Sequence, residues 1–267
     1  MQVESITRNM AVFIDVEDVE EIMPIRSARS YFVSTALAYD AIYVHAGESG
    51  EGNEFAYTFL KYYVDNDRID FTWGDFSKYH FRHTEDPYYS GEHSLATTGE
   101  NLTQAFAQAG TRMEHSEADF DYGLHFTEDA APTDGSVANT IRVVFPGNKI
   151  TNFTYKGDQK GYSLNQNNTD LTDKNNDELV IFQNVLVLGT AVKTNIDYKG
   201  HSSVATTNCE GKGIFFNGGY CEPITWSRGE YNEPFHYYHE DGTELELGVG
   251  RTYIAFVSDS YGGATYQ

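Results

Sequence analysis

The stretch MAVFIDVEDVEEIMPIRSARSYFVSTALAYDAIYVHAG, residues 10–47, decides the reading of the fold. It opens on MAVFID (10–15), a short apolar run ending in Asp15, and closes on AIYVHAG (41–47), a buried-strand pattern stopped by Gly47. Between them Ala28, Tyr31, Phe32, Thr35, Ala36 and Tyr39 recur at helical spacing behind Ser27, a residue type that caps helix N-termini. Strand, helix of about three turns, strand is the order of a right-handed βαβ crossover, which predicts a partly parallel sheet.

Working outward, NEFAYTFLKYYVDN (53–66) is amphipathic, DFTWGDFSKYHFRH (70–83) is loop-rich and aromatic, and ENLTQAFAQAG (100–110) is a helix capped by Thr97 or Thr98 and ended at Gly110. Past residue 115 the texture changes. SEADFDYGLHFTEDAAPTDGS is acidic and loop-like, and then β-branched and aromatic runs dominate: NTIRVVF, ITNFTYKG, VIFQNVLVLG, AVKTNIDY, GIFFNGGY, EPITWS and TYIAFVS. Gly and Asn mark the turns between them, at Pro146-Gly147-Asn148, Asn217-Gly218-Gly219 and Asp241-Gly242. The expectation is an α+β protein: an N-terminal α/β domain over 1–130 with a partly parallel sheet, and a C-terminal β-rich domain over 131–267. The boundary is placed in 128–138, where Pro132, Asp134 and Gly135 interrupt the pattern.

Composition narrows the function classes. The 267 residues carry 18 Lys and Arg against 40 Asp and Glu, a net charge of −22, and are 15% aromatic. That aromatic content supplies anchors for a core and argues against disorder. A pI near 4.6 with thinly spread basic residues argues against nucleic acid as a partner. No apolar run reaches the roughly 18 residues of a membrane-spanning helix, and MQVESITRN has the character of no export signal. The chain as written reads as soluble.

Only Cys209 and Cys221 are present. A hairpin centred near Asn217 and Gly218 sets Cys221 opposite Ile214 and leaves Cys209 out of register. A disulfide then requires a curled entry loop that brings the Cα atoms within about 7 Å, in an exported protein; otherwise both are thiols.

In a parallel βαβ unit, ligands gather at the carboxyl ends of the strands. Asp15 and His45 would lie there, Arg26 and Arg29 would enter at the start of the helix, and Glu48 follows in the next loop. An arginine pair at a helix N-terminus suits a carboxylate or phosphate. The same arginines could instead pair with Asp15, Asp40 or Glu48 and pin the helix to the sheet. His93, in EHSLATTG, is a second candidate for proton transfer, or a histidine bonded to backbone near a helix start.

Metal patterns are weak. His80-x-x-His83 and His236-x-x-His239 sit in extended-looking sequence with no third ligand. Asp173, Asn175 and Asp177 mimic the opening of a calcium loop, but Glu178 replaces its turn glycine and position 184 is Asn, so they read as caps of a helix before VIFQNVLVL. Gly211-Lys212-Gly213 introduces a strand and is no phosphate loop. Trp226, Phe235, Tyr237 and Tyr238 form either a glycan-stacking platform or core. No metal site and no cofactor are implied.

Three blocks carry a resemblance: ESITRNMAVFID with MPIRSARSYFVSTALAYDAIYVHAGES, then GEHSLATTGENL, then VIFQNVLVL through GKGIFFNGGYCEPITWSRGEYNEPFHYYHEDGTELELGVGRTYIAF. Together they resemble the YerB-like family of bacterial lipoproteins, a domain of unknown function with N- and C-terminal parts. PIRSAR followed by YDAIYVHAG is the specific match. Family members begin with an export signal, a lipid-attachment cysteine, a linker and a first strand-helix portion; here Met1 stands almost at the family block, so the chain is expected to be truncated at the N-terminus.

The resemblance implies an extracytoplasmic, membrane-anchored cell-envelope address, with the lipid anchor outside this chain. The functional expectation is a binding or scaffold module that recognises an anionic group, with Arg26, Arg29, Glu48 and Trp226 as ligand-binding residues. Its partner would be a cell-wall or polysaccharide fragment or an envelope protein, and the default site is the cleft between lobes. The alternative is an envelope hydrolase of a glycan or phosphodiester, with His45, His93 and Asp15 as catalytic groups.

Overall fold

The computed structural model describes residues 1–50, 54–63, 65–85, 89, 91–117, 120–259 and 263–267. The architecture is α+β and strand-rich. Contacts divide the chain into two compact units, Phe13–Phe120 and a second made of Met1–Val12 with Asp121–Gln267.

The chain opens with β1 (Gln2–Ser5) and β2 (Arg8–Ala11), an antiparallel hairpin that belongs to the second unit. This corrects the first strand of the expected crossover. Met10 and Ala11 end β2, while Phe13 and Ile14 are exposed and pair with no strand, so the apolar run 10–15 never enters the N-terminal sheet.

In the Phe13–Phe120 unit, α1 (Ser30–Ala38) precedes β3 (Tyr43–His45), α2 (Ala56–Leu60) and β4 (Arg68–Asp70). β3 and β4 pair in parallel, so the crossover runs β3–α2–β4. Only Ala56–Leu60 of the amphipathic stretch 53–66 is α-helical; Asn53 and Val64 lie outside the described residues. The helix α1 is buried at every position except Leu37. Arg29, not Ser27, occupies its N-cap and makes no capping bond. The reason lies upstream: Ala28 N–H donates to Gly47 O and Ser49 N–H donates to Ala28 O, which holds the chain extended up to residue 29.

After β5 (Phe81–Arg82) and β6 (Leu95–Ala96), which pair antiparallel, α3 (Gly99–Ala109) starts where Thr98 Oγ1 accepts from Asn101 N and stops at Gly110 in the left-handed region, as expected. Gly99 is required because a Cβ there would lie 1.7 Å from Val16 O. Ile69, Phe71, Phe76, Leu95, Leu102 and Phe106 form the core of this unit. Arg112 closes it from outside, donating to Asp40 Oδ1 at 2.7 Å and Asp67 Oδ2 at 3.0 Å. Burial alone would raise the Asp40 carboxyl, but donors from Ser116 and His115 and the Arg112 guanidinium outweigh it and hold it below the usual aspartate range. Asp40 is thus a partner of Arg112 rather than of Arg26 or Arg29.

The second unit stacks two sheets. Its principal strands, shorter two- and three-residue ones aside, are β7 (Thr140–Val144), β8 (Ile150–Lys156), β9 (Gly161–Gln166), β10 (Asn184–Thr190), β11 (Cys209–Asn217), β12 (Tyr220–Arg228), β13 (His236–His239), β14 (Thr252–Ser258) and β15 (Ala264–Tyr266). One sheet runs β13-β12-β11-β10-β14-β1-β2, with β14 parallel to both β10 and β1; β15, β7, β8 and β9 run side by side, antiparallel, in the other. Side chains alternate along β14. Tyr253, Ala255 and Val257 meet Ile141, Val143, Phe153 and Leu164 of the facing sheet, whereas Phe256 turns to Trp226 and Phe235 on the opposite face.

Two local expectations change. Asp173, Asn175 and Asp177 cap no helix: Asp173 Oδ1 accepts from Asn175 N within a turn that bridges Thr172 to Leu179, and VIFQNVLVL supplies strands. The β11–β12 turn is Gly218-Gly219, both at positive φ, so Cys221 faces Phe216 rather than Ile214. Cys209 pairs with Arg228, seven residues further along the ladder, or about 24 Å at ~3.4 Å per residue, and both cysteines are free thiols. Burial raises both thiols, Cys209 to about 11.

Candidate functional site

The candidate site lies where β3 leaves the sheet. Strand register places His45 directly beside Asp70 of β4. Gly47, at a φ of +72°, then turns the chain, a conformation that L side chains rarely adopt. The turn aims both of its polar groups inward. Gly47 N–H donates to Asp70 Oδ1 at 3.0 Å, and Gly47 O accepts from His45 Nδ1 at 2.9 Å. Asp70 Oδ1 also accepts from Thr72 N and Thr72 Oγ1, at 2.9 and 2.8 Å.

His45 is 1% exposed and Asp70 3%. With Nδ1 committed to the carbonyl, Nε2 of His45 is buried and has no hydrogen-bond partner among the described residues. Burial lowers the imidazole's affinity for a proton, only partly offset by Asp70, Gly47 O and Glu48, so the neutral ring is favoured. Glu48 is exposed, and one donor atom each of His45, Glu48 and Asp70 lies within 4.8 Å of the other two.

The segment that carries Arg26 runs beside this turn, since Ala46 N–H donates to Arg26 O at 3.1 Å. On its other side Ile25 N–H donates to Leu95 O, which brings Arg26 to the Gly91–His93 turn before β6. Arg26 pairs with Glu92 at 2.7 Å, and its NH1 lies 3.0 Å from His93 Nδ1. Arg29 is 8% exposed and folds back on its own chain: NH1 donates to Ser27 Oγ at 3.0 Å and Ala28 O at 2.9 Å. No carboxylate lies within ion-pair distance of Arg29 among the described residues. Burial, first, and the neighbouring Arg26 both weaken its hold on the proton, against smaller support from Tyr31, Tyr43 and Glu92.

The structure therefore gathers Arg26 with His93, and His45 with Glu48, on adjoining segments. Asp15 stands apart in the exposed loop after β2, accepting from Glu17 N, and makes no contact with either histidine among the described residues. Trp226 belongs to the other unit and is 1% exposed, its Nε1 bonded to Gly189 O, which leaves no face for a sugar ring. His239 and His83 are held by Glu222 and Glu21. A cavity of about 620 Å³ in the second unit is lined by Asp129, Asp134, Glu222, Asp241, Glu246 and His239 with no lysine or arginine, so it suits no anion. Sequence reasoning missed Asp70. Its signal was present in RID (68–70), a short apolar strand ended by Asp like the run read at 10–15.

The chain is 27% identical over 261 residues, 95% of its length and 72% of the relative's, to a Bacillus subtilis (strain 168) protein described as "Putative lipoprotein YerB". The crystal structure of YerB from Bacillus subtilis superposes with a TM-score of 0.73 at 22% identity, over 93% of this chain and 78% of that one, and shows the shared fold. The N-terminal domain of the protein family of unknown function DUF3048 matches residues 1–112 and its C-terminal domain residues 141–254, so the chain belongs to the DUF3048 family.

Proposed function

We propose that the protein is a binding module of the bacterial cell envelope whose Phe13–Phe120 unit recognises an anionic group through Arg26 and Arg29. The observation that carries this reading is Arg29, a guanidinium 8% exposed with no carboxylate within ion-pair distance among the described residues. A guanidinium stays charged when desolvated, so an incoming carboxylate or phosphate supplies what the fold withholds. Arg26, beside it, shares Glu92, whose side chain is 70% exposed and free to yield to a ligand. The net charge of −22 opposes anions at long range, which confines recognition to this local pair. The envelope address, through a lipid anchor, comes from likeness to the Bacillus protein described as "Putative lipoprotein YerB". The partner class is a cell-wall or polysaccharide fragment with a carboxylate or phosphate.

Calorimetric titration with glycerol 3-phosphate, glucose 6-phosphate and muramyl dipeptide tests this. Wild type binds at least one, and Arg26→Ala weakens it tenfold or more. The variant's thermal stability stays within about 1 kcal/mol of wild type, because an ion pair whose Glu92 side chain is 70% exposed contributes no more. Equal affinity in Arg26→Ala would remove the reading.

A further inference from the structure

We infer that His45, Glu48 and Asp70 form a binding site for a divalent transition-metal ion of the Zn2+ or Mn2+ kind. The inference stands independently of anion recognition by the arginines. Three features support it. First, the donors are an imidazole and two carboxylates, a set that favours zinc, manganese or iron over calcium or magnesium. Second, the two buried donors are already oriented. His45 Nδ1 is held by Gly47 O, the second-layer contact that fixes a metal-binding imidazole with its lone pair on Nε2, and Asp70 is fixed through Oδ1 by Gly47 N, Thr72 N and Thr72 Oγ1. Asp70 Oδ2 makes no hydrogen bond among the described residues. Third, His45 Nε2 is a buried polar atom without a partner among the described residues, in a residue 1% exposed. Such an atom is costly to bury unless something satisfies it.

The geometry requires one adjustment. Donor atoms within 4.8 Å of each other must close to roughly 3.4 Å around a tetrahedral zinc with bonds of about 2.1 Å. Glu48 is exposed and can swing in, while the other two stay in place. Three protein ligands leave coordination positions open, as in sites that take water or a ligand oxygen.

Equilibrium dialysis of the full chain against Zn2+ and Mn2+, with metal analysis and thermal unfolding, tests the site. One equivalent binds tightly and raises the unfolding temperature. Glu48→Gln, an exposed position that leaves the metal-free fold intact, weakens that equivalent tenfold or more; Asp70→Asn abolishes it. His239→Gln, which removes the surface histidine paired with Glu222 in the other unit, leaves binding unchanged. Stoichiometry and affinity unaltered by Glu48→Gln would overturn the inference. So would only the diffuse, weak binding that 40 acidic residues give at many surface points.

Discussion

Replacing Lys149 with Met is expected to destabilise the second unit by about 3–5 kcal/mol, the usual loss when one partner of a buried ion pair is removed. Glu4, in β1, is completely buried between the sheets, with Lys149 Nζ 2.5 Å from its carboxylate and Thr151 Oγ1 donating at 2.8 Å. Lys149 also donates to Ser5 O and stands over the Phe145 ring. Burial raises the Glu4 carboxyl above its ordinary value, and Lys149, Thr151 and Gln166 pull it back only in part. A carboxyl raised in the folded state supports folding in acid and loses that contribution as pH climbs through its folded pKa. Without Lys149 the pKa rises further, so the deficit of Lys149→Met is full at neutral pH and shrinks in mild acid. Urea unfolding at the two pH values measures it. Adding Glu4→Gln recovers most of the loss, since no buried charge then lacks a partner.

Trp226→Ala is expected to cost a similar amount, about 3–5 kcal/mol, because the indole fills a fully buried space. Its ring centroid lies 6.0 Å from both Phe235 and Phe256, and Arg228 covers Phe235 from 4.6 Å. The backbone is shaped around it: a Cβ on Gly211 would sit 2.4 Å from Gly189 O and 2.7 Å from Trp226 Nε1. Urea unfolding decides the matter. A variant with wild-type stability and impaired glycan binding would instead make Trp226 an open platform.

β-branched and aromatic runs made most of the β-rich half legible: NTIRVVF and ITNFTYKG bury alternate residues along β7 and β8, and TYIAFVS, in β14 inside its sheet, is buried throughout. What the pattern could not reveal is partner choice. MAVFID and RID carry the same local signal, and only tertiary packing tells them apart: Ile69 and Phe71 are buried, Phe13 and Ile14 are not. Choosing the earlier run placed Asp15 next to His45, where the parallel ladder puts Asp70. The segments that carry Arg26 and His45 lie side by side through extended pairing of 26–28 with 46–49, not through a helix crossover. The helix N-cap was misread for the same reason, since Ser27 has the right chemistry and its backbone is held extended by Gly47. Ion pairing was equally invisible, because Asp40 and Arg112 are far apart in sequence and meet only in the fold.

The claim on which the candidate site rests is that Gly47 fixes the His45 imidazole with its proton on Nδ1 and an open lone pair on Nε2. Nitrogen-15 NMR of the histidine side chains at neutral pH, with His45 assigned by comparison with His45→Gln, reads this directly. The expected result is a neutral ring protonated at Nδ1, with the Nε2 signal shifting when Zn2+ is added. A ring protonated at Nε2, or an Nε2 signal indifferent to the metal, would contradict the account.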